Sequence, residues 1–155
     1  MFSSPLLPTS YFLLPILGHP IHPMTVHFPI AFYLLGVLLT LAYLWRGQTD
    51  YERFAYWSFI LSWLAALVAS LTGLVDQSQL ELADPRRDTV NSHITAGVAL
   101  LILNGLVLYM RFRWPDVLVS RRWPYLGLMA LGVVAVLAAN WLGGELVYRL
   151  GVGIQ

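Results

Sequence analysis

Four stretches of the chain stay apolar for long enough to cross a bilayer: residues 24–45, 54–75, 93–110 and 125–142. A hydrocarbon layer about 30 Å thick takes roughly 20 apolar residues in a helix, and helix is the state that closes every backbone hydrogen bond within one isolated run. No stretch alternates apolar and polar with a period of two, which argues against a barrel. The connectors, 46–53, 76–92 and 111–124, are short, so successive helices are antiparallel neighbours. The pattern predicts an all-α fold, a transmembrane four-helix bundle running up-down-up-down. Its first and third helices are then parallel and diagonally opposed. Ahead of it, residues 1–23 are apolar but lack a basic start and are interrupted by Pro5, Pro8 and Pro15. They read as a short interfacial N-terminal segment, neither cleaved nor spanning, before a transmembrane domain over 24–155.

Local signals refine the elements. Asp84-Pro85 has the form of an N-cap followed by proline at the first helical position, so the third helix is expected to start before the membrane, with His93 about two turns into it. Ser58, Ser62, Ala65, Ala69, Gly73 and Asp76 recur at spacings of three and four on the second helix, a small-residue stripe suited to close helix packing. Ala96, Gly97 and Asn104 do the same on the third, where Asn104 is expected to make an interhelical hydrogen bond. Trp45, Trp57, Trp114, Trp123 and Trp141 fall near predicted helix ends, as interfacial anchors do.

Composition agrees and adds orientation. Of 155 residues, 58% are hydrophobic and 11% charged, far from the roughly one quarter charged of soluble domains. A net charge of +1 leaves no basic surface for nucleic acid. With no cysteine there are no disulfides, thiolate ligands or covalent haem attachment; any metal falls to His, Asp, Glu or Met. Every cation is an arginine, and Arg46, Arg53, Arg111, Arg113, Arg121 and Arg122 flank one membrane face. The other face mixes Arg86, Arg87 and Arg149 with Asp76, Glu81, Asp84, Asp88 and Glu145. By the positive-inside rule the arginine-rich face is cytoplasmic and both termini are periplasmic or extracellular.

All four histidines, His19, His22, His27 and His93, come to the face opposite the arginines. Asp76, Glu145 and Tyr148 end or follow helices there too. His27 and His93 stand one to two turns inside the diagonal helices, so their depths match. With neighbouring axes 8–10 Å apart, the diagonal is roughly 12–14 Å, a gap across which two imidazoles can hold one haem iron. Gly97, a turn beyond His93, leaves room for the macrocycle, and Arg86, Arg87 or Arg149 suits its propionates. His19 and His22 are alternates or supporting groups. Each of these residues also has an ordinary reading: interfacial histidines that cap or hydrogen-bond, and solvated acids at helix ends.

At His22-Pro23-Met24-Thr25-Val26-His27-Phe28-Pro29-Ile30-Ala31, then Gly73-Leu74-Val75-Asp76, His93 and Gly143-Gly144-Glu145-Leu146-Val147-Tyr148, the chain resembles a bacterial family of four-helix membrane proteins catalogued as domain of unknown function 2231. The resemblance runs from about Gly18 to Val152. It implies an inner-membrane location, and work beside Rieske-type iron-sulfur or cytochrome proteins to which members are fused or adjacent. The family ending Tyr-x-His-Gly is here Tyr148-Arg149-Leu150-Gly151, so a ligand from that histidine is missing and a second haem is disfavoured.

These features lead to a haem b electron-transfer protein, with His27 and His93 as axial ligands, as the first expectation. Two alternatives stay open. One is a divalent metal-ion site drawn from His19, His22, His27, His93, Asp76 and Glu145. The other is an accessory subunit without cofactor, docked to a larger electron-transfer complex. The lipid bilayer is the partner common to all three, and a homodimer is compatible with each. A transporter is disfavoured by the absence of an inverted repeat or broken mid-membrane helix, and a hydrolase by the absence of a nucleophile elbow.

Overall fold

The protein, described by a computed structural model over residues 21–77, 80–81 and 83–152, consists of α1 (His22–Thr25), α2 (His27–Arg46), α3 (Thr49–Gln77), α4 (Arg87–Arg113), α5 (Val117–Ser120) and α6 (Arg122–Gly144), the last continuing into a π-helical turn, Glu145–Arg149. The interfacial segment expected over 1–23 lies outside the described residues apart from Ile21, His22 and Pro23. His19 lies outside them as well. Among the described residues, four helical runs are long and apolar enough to cross a membrane: His22–Arg46, Thr49–Gln77, Arg87–Arg113 and Arg122–Arg149. α2 packs most closely on α3 and α4 on α6, giving two hairpins that meet chiefly along α3 and α4. The up-down-up-down bundle is as expected, with α2 and α4 diagonal.

The spans outrun their apolar cores. α3 has 29 residues, about 43 Å at 1.5 Å per residue, so its first turn stands clear of a 30 Å hydrocarbon layer. There Glu52 forms an ion pair with Arg111 of α4. The third helix begins at Arg87, and Asp84 shapes the turn before it by accepting the Arg86 backbone N–H at 2.8 Å and pairing with the Arg86 guanidinium at 2.6 Å. That guanidinium holds the Asp84 carboxyl down at about 2. Gly47, at φ 72°, ends α2 in the left-handed conformation that glycine favours at a C-cap. Trp114 ends α4 in extended conformation, as the residue before Pro115 must. Val26 separates α1 from α2 because Pro29 has no N–H for the Thr25 carbonyl and its ring crowds that oxygen.

The side-chain distribution is that of a lipid-solvated bundle. Leu38, Leu61, Leu71, Ile102, Leu131 and Leu137 face outward, while Thr40, Ser58, Ser62, Asn104 and a set of alanines are buried. Small residues let helices approach where lipid removes the usual hydrophobic drive between them. A Cβ at Gly36 would stand 2.8 Å from the Phe59 ring, and one at Gly132 would overlap the Tyr33 hydroxyl. Tyr33 and Phe59, both fully buried, meet edge to face at 5.3 Å in the core.

The two hairpins repeat one another. Pro29, Tyr33 and Gly36 on α2 and Leu100, Asn104 and Val107 on α4 are buried at positions 71 residues apart. Ala55, Phe59, Ser62, Ala66 and Ala69 on α3 correspond in the same way to Tyr125, Met129, Gly132, Val136 and Ala139 on α6, at positions 70 apart. The contacts between hairpins are reciprocal: Tyr33 Oη donates to the Met129 carbonyl at 3.1 Å, and Asn104 Nδ2 donates to the carbonyl of Phe59, the counterpart of Met129, at 3.2 Å. Reciprocity of this kind is what a twofold axis produces. Here the axis is approximate and runs along the bundle.

Candidate functional site

His22 and His93, also 71 positions apart, meet where that axis leaves the bundle. Their Nε2 atoms face each other at 3.4 Å, and their ring planes are 84° apart. The ring centroids are 5.7 Å apart, longer than the Nε2 separation by about the two distances from centroid to nitrogen. The imidazoles therefore lie end to end on one line. Each is anchored from behind by its other nitrogen: His22 Nδ1 lies 2.8 Å from the Ala69 carbonyl, and His93 Nδ1 lies 3.0 Å from the Ala139 carbonyl. A carbonyl only accepts, so both Nδ1 atoms carry a proton, and the Nε2 of a neutral ring is then its lone-pair nitrogen. Facing each other at 3.4 Å, the two nitrogens suit either a hydrogen bond from one ring to the other or a cation held by both.

The local sequence explains how the rings are seated. Gly73 and Gly143 stand one turn beyond Ala69 and Ala139; a Cβ would come within 3.1 Å of His22 at Gly73 and 3.2 Å of His93 at Gly143. Each hairpin thus carries one histidine on its first helix and an Ala-x-x-x-Gly seat on its second. The spacing from histidine to alanine is 47 residues in the first hairpin and 46 in the second. Around His22 the seat is polar. Its backbone N–H donates to Asp76 Oδ2 at 3.2 Å, and Thr25 Oγ1 donates to the His22 carbonyl at 2.9 Å while lying 3.0 Å from Thr72 Oγ1.

The structure does not bring the expected pair, His27 and His93, together. His27 is exposed, because five residues of helix turn it some 140° from His22 and the break at Val26 leaves it on the outward side of α2. His93 is level with His22 instead. Asp76 accepts the His22 N–H, and Glu145, part-buried, pairs with the exposed Arg149 at 2.8 Å. Among the described residues, no three His, Asp or Glu side chains converge as a metal-ion site. Of the arginines proposed for propionates, Arg86 holds Asp84, and Arg87 donates to the Glu81 and Leu80 carbonyls. Gly97 faces open space within 4 Å of where its Cβ would be. Asn104 makes its interhelical bond, while its Oδ1 stays buried without a partner.

Sequence reasoning missed Thr25, Thr72 and Gly143 as parts of the site, and took Ala69 and Gly73 as packing residues only. The signal that points to them is the repeated histidine and Ala-x-x-x-Gly spacing.

A family model described as predicted membrane protein (DUF2231) matches residues 18–155. No curated protein and no solved structure matches the chain.

Proposed function

The chain belongs to the DUF2231 family of predicted membrane proteins, and we propose that it is a membrane redox protein holding one b-type haem between its hairpins, with His22 and His93 as the axial ligands. The observation that carries this reading is the collinear pair of facing Nε2 atoms on perpendicular rings, each ring with its Nδ1 on a backbone carbonyl. Metal-bound histidines characteristically use their second nitrogen in this way, which sets tautomer and orientation and raises ligand basicity.

The donor types suit the group, two imidazole nitrogens facing one another, but the spacing is short. Imidazole nitrogens sit about 2.0–2.1 Å from a first-row metal, so two on opposite sides of one ion stand about 4.1 Å apart. The observed 3.4 Å falls short by about 0.7 Å. The rings are backed against Gly73 and Gly143, so holding an ion there would require the two hairpins to stand farther apart than in this structure. Two ligands on a line do not complete the tetrahedral shell of zinc. They do suit a macrocycle that brings its own four equatorial donors, which favours haem over a bare divalent ion. When bound, a b-type haem supplies a one-electron centre whose potential follows its axial ligands and burial. The protein's part is to present the two nitrogens, seat the rings and surround them with apolar helices. By the arginine distribution, this site faces the periplasmic or extracellular side.

The test is a pyridine haemochromogen assay on protein purified in detergent from haem-replete cells. One b-type haem per chain is expected. Protein that folds as a helical bundle and carries none would overturn the proposal in favour of an accessory subunit.

A further inference from the structure

The seam between the hairpins occurs twice, once between α3 and α4 and once, by the approximate twofold, between α2 and α6. On the first, a groove of about 310 Å³ opens toward the lipid, walled by Tyr56 and Trp63 of α3 and by Tyr109 and Phe112 of α4. Trp63 is seven positions beyond Tyr56, so the groove runs about 10 Å along the bundle from its arginine end. Gly105 lets Trp63 lie across α4, with Trp63 Nε1 3.2 Å from where a Cβ would stand. A helix about 10–12 Å across is too thick for such a groove; a single flexible apolar chain is not.

The corresponding residues on the second seam are Leu126, Val133, Leu38 and Leu41, with Leu34 in place of Gly105. Aromatic walls and a missing side chain are therefore not what the fold demands at a seam. The charges differ in the same way. Arg53 stands one turn before Tyr56 and Arg113 one turn beyond Tyr109, and their counterparts are Trp123 and Ala42. Residues three and four apart are neighbours on a helix surface, which puts both arginines at the mouth of the groove. Both are exposed, and neither is ion-paired among the described residues, whereas Arg111 beside them is neutralised by Glu52.

We propose that this groove binds one anionic phospholipid of the arginine-side leaflet, with an acyl chain against Trp63 and Tyr109 and the phosphate held by Arg53 and Arg113. Guanidinium meets phosphate oxygens bidentately, and a lipid offers its phosphate and its apolar chain in the order in which the mouth and the groove receive them. The site lies at the membrane face opposite His22 and His93 and is independent of the haem reading. Each arginine near a membrane surface attracts anionic lipid by about fivefold, so two give a preference of roughly 30-fold over a zwitterionic lipid.

Full-length protein in detergent is mixed with equal amounts of phosphatidylglycerol and phosphatidylcholine of different mass, and the retained lipid is read by native mass spectrometry. Wild type is expected to retain one phosphatidylglycerol with a preference of roughly 30-fold. Arg53→Gln with Arg113→Gln is expected to bring the two lipids near parity while one lipid is still retained. Arg46→Gln with Arg122→Gln removes the same charge elsewhere on that face and is expected to leave the preference intact. Ile60→Trp, which fills the groove from a position that lines it, is expected to lose the lipid while keeping wild-type helix content; the two arginine pairs decide the matter even if this variant fails to fold. Equal retention of both lipids by wild type would overturn the proposal and leave an unselective lipid contact. A preference lost equally in both arginine pairs would overturn it in favour of the diffuse charge of the face. So would a lipid retained by folded Ile60→Trp, or a neutral isoprenoid carried through purification in place of the phospholipid.

Discussion

At the residue scale, the glycines behind the two imidazoles set how far each ring can retreat. Gly73→Val is expected to push His22 off the common axis, because even the first added carbon comes within 3.1 Å of the ring. Gly143→Val should do the same to His93. On the proposed haem reading, both variants are expected to lose haem while keeping helix content by circular dichroism; unchanged haem in either would separate the seat from the ligand. Gly132 probes packing without chemistry. Its missing Cβ is the space that the Tyr33 hydroxyl occupies, and overpacking of this kind costs about 1–3 kcal/mol. Gly132→Ala should lower resistance to unfolding by that order, with Tyr33→Leu restoring part of it. Asn104→Leu should be close to neutral. Interhelical hydrogen bonds in membranes average about 0.6 kcal/mol, and the substitution also removes a buried oxygen that has no partner.

At the element scale, hydropathy locates the spans but not their ends. The polar first turns of α3 and α4 continue as helix beyond the apolar runs, held by Glu52 with Arg111 and by the Asp84 turn, interactions that no apolar window registers. The His22–His93 pairing was not legible for a related reason. Depth along a helix can be counted in residues, but hydropathy does not fix the rotation that turns His22 inward and His27, five residues on, outward. The gathering of histidines at one face was legible, because it needs only the order of spans. The turn before α4 carries a pH signature. The Asp84 carboxyl is held at about 2 by Arg86, so the contact is complete above the ordinary carboxylate value near 4 and is lost as pH falls through 2. A carbon-13 titration should place the Asp84 midpoint near 2, and Arg86→Ala should return it toward 3.8.

At the scale of the whole molecule, the protein is two His-bearing hairpins around an approximate twofold, and this organisation was hidden in the sequence. The corresponding residues are chemically dissimilar: Tyr33 answers to Asn104, and Phe59 to Met129. What repeats is burial and the acceptance of a hydrogen bond by a backbone carbonyl, neither of which constrains residue type strongly. Orientation can be checked directly because the chain has no cysteine. With Ala83→Cys on the histidine side and Gln48→Cys on the arginine side, a membrane-impermeant maleimide added to intact cells should label the first and spare the second; the reverse pattern would invert the proposed topology.

The central claim is that the site is closed by His22 and His93 across the two hairpins. It is tested most directly by the reduced-minus-oxidised absorption spectrum of the purified protein, with His22→Ala, His93→Ala and His27→Ala prepared alongside. A sharp b-type α band is expected in wild type and in His27→Ala, and loss of the low-spin band in His22→Ala and in His93→Ala. A band that survives in His22→Ala and disappears in His27→Ala would contradict it.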